Sequence, residues 1–269
     1  MKSKALVLRT VKYNDTSFIA HLLTEQCGCI GMMVHTSRSK RAAVRHTLFQ
    51  PLSVLDLEWD ERPRASLQRP KQAAVALPFT TLPYDPHKSA MALFLAEFLY
   101  YALKGDSDSG AVFAYVVRSM EWLDTCPKGY ANFHLVFLLR LTRLLGFMPN
   151  LDEARGDCCF DLRSGCFTPS VPLHGDYLPA ADAALLPKLM RMRYDNMHVF
   201  KFNGSERARL LERINLYYSL HLPGFPELKS LAVLKELFLA RRRSAGVFNP
   251  SLIRLLRQAT CRWLSPPVP

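Results

Sequence analysis

The chain has 269 residues, 49% of them hydrophobic, with a formal net charge of +12 and a pI near 9.5. That apolar content supplies packed cores and excludes wholesale disorder, and the length allows two ordinary domains. A balance this basic points to a polyanionic partner, either nucleic acid or an anionic membrane surface.

The excess is not spread evenly. Residues 1–71 hold 12 Lys and Arg against 6 Asp and Glu, residues 72–236 hold 17 of each, and residues 237–269 hold 6 Arg and no acid. The middle therefore reads as a neutral scaffold between two basic ends. Met1 to Thr10 lacks the apolar run and small-residue cleavage site of a secretory signal. The apolar runs Phe94–Leu103 and Leu135–Leu145 fall short of the roughly 18 residues a membrane span needs, and they carry Glu97 and Arg140. Seven irregularly spaced cysteines do not form a disulfide framework, so the expected compartment is the reducing cytoplasm.

In chain order, the first part reads as β. Ala5–Val11, Thr16–Thr24, Gly28–His35 and Leu52–Trp59 are short runs rich in branched and aromatic residues, separated by turn signals at Asn14-Asp15, Gly28 and Pro51. Arg64–Val75 is the expected fifth strand, with Pro70 marking an edge or an end. Five short strands in this length fit a small barrel, of which the OB-fold is the commonest five-stranded example. After Pro78 and Pro83 the period becomes helical. Asp85-Pro86 places a capping carboxylate before proline at the first helical position, opening a helix to Lys104. A second helix is expected from about Asp108 to Asp124, and a third from Tyr130 to Leu145 with Gly146 as its stop. Cys159–Leu162 and Cys166–Thr168 flank Arg163-Ser-Gly165 as a hairpin. Helices resume near Pro179, at Ser205–Leu222 with Ser205 as cap, and at Lys229–Ala240. The predicted class is α+β: an OB-fold barrel over 1–79, then a helical domain over 80–240 with an inserted loop and hairpin at about 150–177. A basic extension covers 241–269. Within it Asn249-Pro250 opens a helix whose stripe runs from Leu252 to Trp263, with Arg254, Arg257 and Arg262 around the remainder.

The strongest candidate site is basic. No acidic residue lies between Gln26 and Leu55, while Arg38, Lys40, Arg41 and Arg45 crowd into one short stretch flanked by His35 and His46. Cations neutralise phosphates and release counterions, and aromatic faces stack unpaired bases without reading sequence. Tyr13, Phe18, Phe49 and Trp59 are the aromatic candidates beside them. Arg9, Lys12, Arg69 and Lys71 are further DNA-binding candidates, and a solvated basic loop is the bland alternative. Motifs for nucleotide binding, zinc proteolysis and serine hydrolysis are absent. A metal-dependent nuclease would need Asp161, Asp176 and Asp182 to converge. Tyr217, Tyr218 and His221 read as core or boundary residues on one helix.

Three stretches stand out together: Ala5-Leu-Val-Leu-Arg-Thr-Val-Lys-Tyr-Asn-Asp-Thr-Ser17 with Leu22-Leu-Thr-Glu-Gln-Cys-Gly28; Ser37-Arg-Ser-Lys-Arg41 leading to Leu48-Phe-Gln-Pro-Leu52; and Tyr218-Ser-Leu-His-Leu-Pro-Gly-Phe-Pro-Glu-Leu-Lys-Ser-Leu231. In that order and spacing they resemble the RecO family of bacterial recombination mediators. Gly146-Phe-Met-Pro-Asn-Leu151 fits as the link into the inserted loop. The resemblance implies an OB-fold that binds single- and double-stranded DNA, annealing of complementary strands, and help in loading RecA onto strands coated by single-strand-binding protein. It implies RecR and the acidic tail of that coating protein as partners, and no catalysis. Many members of the family carry four cysteines in two close pairs after the segment matched here by Pro149-Asn-Leu151. This chain has only Cys158, Cys159 and Cys166 there, so the expectation is no zinc and no other cofactor, with an irregular site including His174 as the alternative. The rival functions are a metal-dependent nucleic-acid enzyme and a peripheral membrane protein held by its basic end.

Overall fold

The computed structural model describes residues 1–35, 44–62, 64–105 and 110–240. Five antiparallel strands open the chain: β1 (Lys2–Asn14), β2 (Ser17–Thr24), β3 (Gly28–His35), β4 (Val54–Asp60) and β5 (Arg69–Leu77), in the order β3-β2-β1-β4-β5. The first and last members of that order meet through a parallel bridge, Met32 to Gln68, where Met33 N donates to Gln68 O at 2.8 Å and Gln68 N to Gly31 O at 2.9 Å. Gly31 sits at this bridge, where a Cβ would come within 2.7 Å of the Leu67 Cδ2 methyl and push that side chain aside. The result is the expected small OB-like barrel. Its interior is filled by Phe18, Met32, Val34, Phe49, Leu57 and Trp59.

β1 is buried from Ala5 to Thr10 on both faces. Ala5 and Val7 point into the barrel core, and the opposite face lies under the first helix. The strand therefore reads as a continuous apolar run and not as an alternation. The fifth strand begins later than expected, at Arg69. The preceding segment is occupied by a turn, in which Gln68 Oε1 accepts Arg62 N at 2.9 Å and Gln68 Nε2 donates to Arg62 O at 3.1 Å. Pro70 lies inside β5, opposite Trp59, where a register shift between Glu58 and Trp59 interrupts the ladder. An irregularity of that kind is where a residue without N–H is tolerated.

Helix α1 (Pro86–Ala102) starts as expected, with the Asp85 side chain accepting His87 N and Lys88 N. Helix α2 (Gly110–Thr125) follows, and α3 (Phe133–Leu144) is preceded by a 3-10 turn over Tyr130–Asn132. The expected hairpin is β6 (Cys159–Asp161) with β7 (Cys166–Thr168), and β8 (Tyr177–Leu178) adds a third strand on the other side of β6. Short helices α4 (Ala180–Ala183) and α5 (Leu186–Met190) lead to α6 (Gly204–His221). The cap of α6 is Asn203, not Ser205. Asn203 Oδ1 accepts Glu206 N while Glu206 reaches back to Asn203 N, a complete capping box. Helix α7 (Lys229–Ala240) is capped from a distance by the buried Glu97 of α1, which accepts Lys229 N at 3.1 Å and Ser230 N at 2.7 Å.

Two compact units result. One combines Met1–Thr125 with the chain from Glu227 onward, so α1, α2 and α7 group with the barrel; the other is Cys126–Pro226. The second unit has its own core, with Tyr218 Oη donating to Leu138 O at 2.7 Å and Phe160, Leu162, Phe167 and Tyr217 packed together. No helix among the described residues is long and apolar enough to cross a membrane. The extension 241–269 lies outside the described residues.

Candidate nucleic-acid interface

The turn between β1 and β2 is short and internally held. Asn14 Oδ1 accepts Thr16 N at 2.9 Å, an Asx turn, and Lys12 Nζ bridges to Asp15 at 2.8 Å. The strand register places Lys12 opposite Phe18, Phe18 opposite Val34, and Ser17 opposite His35. This hairpin and the C-terminal end of β3 therefore share one mouth of the barrel. Ser17 Oγ meets His35 Nδ1 at 2.7 Å there.

From His35 the chain enters the basic stretch. Arg38, Lys40 and Arg41 lie outside the described residues. The chain is described again from Val44, and Arg45 is exposed in extended conformation at the start of a 3-10 turn, His46–Leu48. That turn comes back to the same mouth. The His46 ring stands edge-on to Phe18 at 4.7 Å, and Phe18 meets Phe49 at 5.4 Å. Both described ends of the basic stretch are thus anchored beside Lys12 and Tyr13. No acidic residue occurs in the chain from Gln26 to Leu55. The Asp15 carboxyl is held below its ordinary pKa by its hydrogen bond from Lys12 and then by that cation's charge.

The other expected residues fall elsewhere. Lys71 is bound to Asp60 at 2.8 Å; that hydrogen bond, then the Asp60 charge, holds its ammonium pKa above the usual value. Arg69 is the register partner of Asp60. These two cations face the carboxylates of β4, where Lys2 also pairs with Glu58 at 3.2 Å. Arg9 is only 8% exposed, with its guanidinium carbon 5.1 Å from the centre of the Tyr100 ring on α1. It packs the barrel against α1, and its place on the DNA-binding surface is corrected accordingly. Its register partner His21 meets the same ring at 5.0 Å, and burial, then the Arg9 charge, lowers the imidazole pKa.

The aromatic candidates also separate. Phe18, Phe49 and Trp59 are 4%, 2% and 2% exposed and belong to the barrel core, so none can receive a base. Tyr13 is 63% exposed. In the second unit, Cys158 and Cys159 are buried, Cys158 among Phe160, Leu162 and Phe167, while Cys166 Sγ faces Ser164 O at 3.5 Å. His174 lies against Asp161 at 3.4 Å. Among the described residues no three His, Cys, Asp or Glu side chains gather as a metal site. The described cysteines do not fit a tetrahedral zinc. The loop carboxylates do not converge either: Asp176 is held by Arg163 at 2.7 Å, and Asp161 accepts Arg163 N and Ser164 Oγ.

Two family models account for most of the chain: "Recombination protein O N terminal" matches residues 1–79, and "Recombination protein O C terminal" matches residues 83–232. The chain belongs to the RecO family. It is similar to the DNA repair protein RecO of Bacteroides fragilis, 52% identical over 238 residues, covering 88% of this chain and 98% of that protein. It is also similar to RecO of Phocaeicola vulgatus, 49% identical over 237 residues with the same coverages. RecO of Flavobacterium psychrophilum is 33% identical over 239 residues, 88% of this chain and 99% of that one. As a RecO protein the chain is a DNA repair and recombination mediator and not an enzyme. The RecO models end at residue 232, before the basic extension begins.

Proposed function

We propose that this RecO-family chain binds single- and double-stranded DNA at the basic mouth of its barrel and anneals complementary strands. With RecR it helps load RecA onto strands coated by single-strand-binding protein, whose acidic tail is a further partner. Its place of work is the cytoplasm. The observation that carries the reading is the acid-free stretch from Gln26 to Leu55, whose described ends are fastened by His35 and His46 to the barrel mouth beside Lys12. Cations grouped on one mouth neutralise phosphates on an incoming strand and release its counterions. Two strands held this way repel each other less, so pairing is faster without any covalent step. Lys12, Arg38, Lys40, Arg41 and Arg45 are the DNA contacts in this reading, with Lys71 and Arg69 as secondary contacts on the β4–β5 side.

The test is annealing of complementary oligonucleotides by the purified full chain, followed over a range of salt concentrations. Acceleration that fades as salt rises supports the reading, and no acceleration at low salt refutes it. Breakdown of labelled DNA with Mg²⁺ would favour the nuclease alternative, and flotation with anionic liposomes in the absence of DNA binding would favour the membrane one.

A further inference from the structure

We infer that Tyr13 is the base-stacking residue of this mouth, taking one unpaired base onto its ring and giving the chain a preference for single strands. The inference rests on the DNA-binding reading above and adds to it the residue that distinguishes a single strand from a duplex. Stacking needs an aromatic face that is exposed, held in place and close to the cations that carry the backbone. Of the four aromatic residues near the basic stretch, Phe18, Phe49 and Trp59 are in the core, and Tyr13 stands 63% exposed. Tyr13 lies directly between Lys12 and Asn14, at the end of β1.

The backbone that carries it is fixed on both sides. Lys12 is paired with Phe18 and Asn14 with Ser17 across the hairpin, and the intervening register shift sets Tyr13 at an irregularity of the ladder. The Asn14 side chain pins Thr16 through both its amide and its hydroxyl, at 2.9 and 3.2 Å. With the backbone on both sides of Tyr13 already tied, stacking a base orders little more than the side chain itself. The connection between the first two strands is also one of the loops with which OB barrels grip oligonucleotides. A tyrosine face is offered to any base, so the contact is indifferent to sequence. In a duplex the base faces are already stacked, so the contact is lost.

The experiment compares the full chain with Tyr13→Ala and Tyr13→Phe for binding to an oligo-dT strand and to an abasic strand of equal length, each titrated with salt. Loss of one base–aromatic contact should weaken oligo-dT binding by Tyr13→Ala about tenfold. The expected result leaves abasic binding and the salt slope unchanged, with Tyr13→Phe close to wild type. Equal binding of wild type and Tyr13→Ala to oligo-dT overturns the inference, as does an equal loss on the abasic strand. In both cases salt-dependent binding by the wild type leaves the DNA-binding reading standing. Failure of the wild type to bind either strand would overturn that reading and this inference together.

Discussion

Asp124→Asn should weaken the barrel-bearing unit by about 2–4 kcal/mol at neutral pH, and the loss should fade in acid. Asp124 closes α2 and is 6% exposed. Its carboxylate accepts Thr80 N at 2.9 Å, Thr81 N at 2.8 Å and Leu82 N at 2.6 Å, besides the Thr80 hydroxyl at 3.0 Å. Its backbone carbonyl accepts the buried Lys88 Nζ at 2.9 Å. One residue thus ties the segment between β5 and α1 to the end of α2. Burial alone would push the carboxyl up, but the amides of Thr80, Leu82 and Thr81 outweigh it and bring its pKa down to about 2. Against an unfolded value of about 3.9, that shift is worth about 2.5 kcal/mol. Asparagine keeps one acceptor oxygen and turns an N–H₂ toward groups that are themselves donors, which adds to the cost. Because the folded pKa is depressed, the stabilisation is complete above the unfolded pKa of about 4 and is lost as pH falls toward about 2. Trp59 and Trp122 lie in this unit and Cys126–Pro226 has no tryptophan, so with Trp263, which lies outside the described residues, replaced by Phe in both proteins, tryptophan fluorescence during urea unfolding reports this unit's transition. Other carboxylates titrate in both proteins and cancel in the difference. A gap below about 0.5 kcal/mol at pH 7, or one that stays constant into acid, would refute the account.

Replacing Arg38, Lys40, Arg41 and Arg45 together by Ala should reduce the salt slope of single-strand binding by at most about 3 while the thermal transition stays in place; unchanged affinity and slope would count against the mouth. Gly165→Ala should destabilise the second unit by about 2 kcal/mol in chemical denaturation followed by circular dichroism. Gly165 has φ of 69°, and a Cβ there would sit 2.8 Å from Tyr217 Oη, which already donates to Phe147 O. Truncation after Ala240 removes six arginines and should slow annealing and flatten its salt dependence, whereas equal rates and slopes would leave the extension without a DNA role.

Much of the scaffold was legible because its signals are local. Asp85-Pro86 opens α1 as expected, and the turn residues between the first four strands mark their limits within a few positions. The misplaced features depend on pairings that sequence separation hides. β5 starts late because the Gln68 side chain holds the backbone of Arg62 in a turn. β8 has two residues, too few to show a period, and it exists because Asp161 and Phe160 offer a free edge to Tyr177 and Leu178. The α6 cap was within reach: Asn203 followed by Glu206 is the reciprocal spacing, and Ser205 has no such partner. In the candidate site the basic stretch was visible in the sequence, but exposure was not. Arg9 follows Leu6 and Leu8, whose burial shows that β1 is covered on its outer face too, and the register shift between Val7 and Arg9 keeps Arg9 under α1 beside Tyr100. An apolar residue at every position of Ala5–Leu8 was the sign that the outer face is not solvent, and Arg9 follows directly upon it.

Charge pairing gives the barrel a direction as well as a sign. Residues 1–71 carry an excess of cations, but β4 supplies Glu58 to Lys2 and Asp60 to Lys71, and Arg69 lies across from Asp60. On that side Lys2 and Lys71 are met by carboxylates at 3.2 and 2.8 Å, and exposed pairs of this kind are further screened by salt. At the mouth, the sole carboxylate of the β1–β2 turn is Asp15, engaged by Lys12, and the sequence from Gln26 to Leu55, of which 36–43 lie outside the described residues, carries cations and no acid. In the proposed reading a polyanion is therefore drawn chiefly to that acid-free stretch and less to the paired cations of the β4–β5 side. That asymmetry suits the annealing proposed above. A strand held uniformly around a barrel would be wrapped and its bases hidden, while one held at a single mouth is neutralised locally and keeps the rest of its length available to a complement.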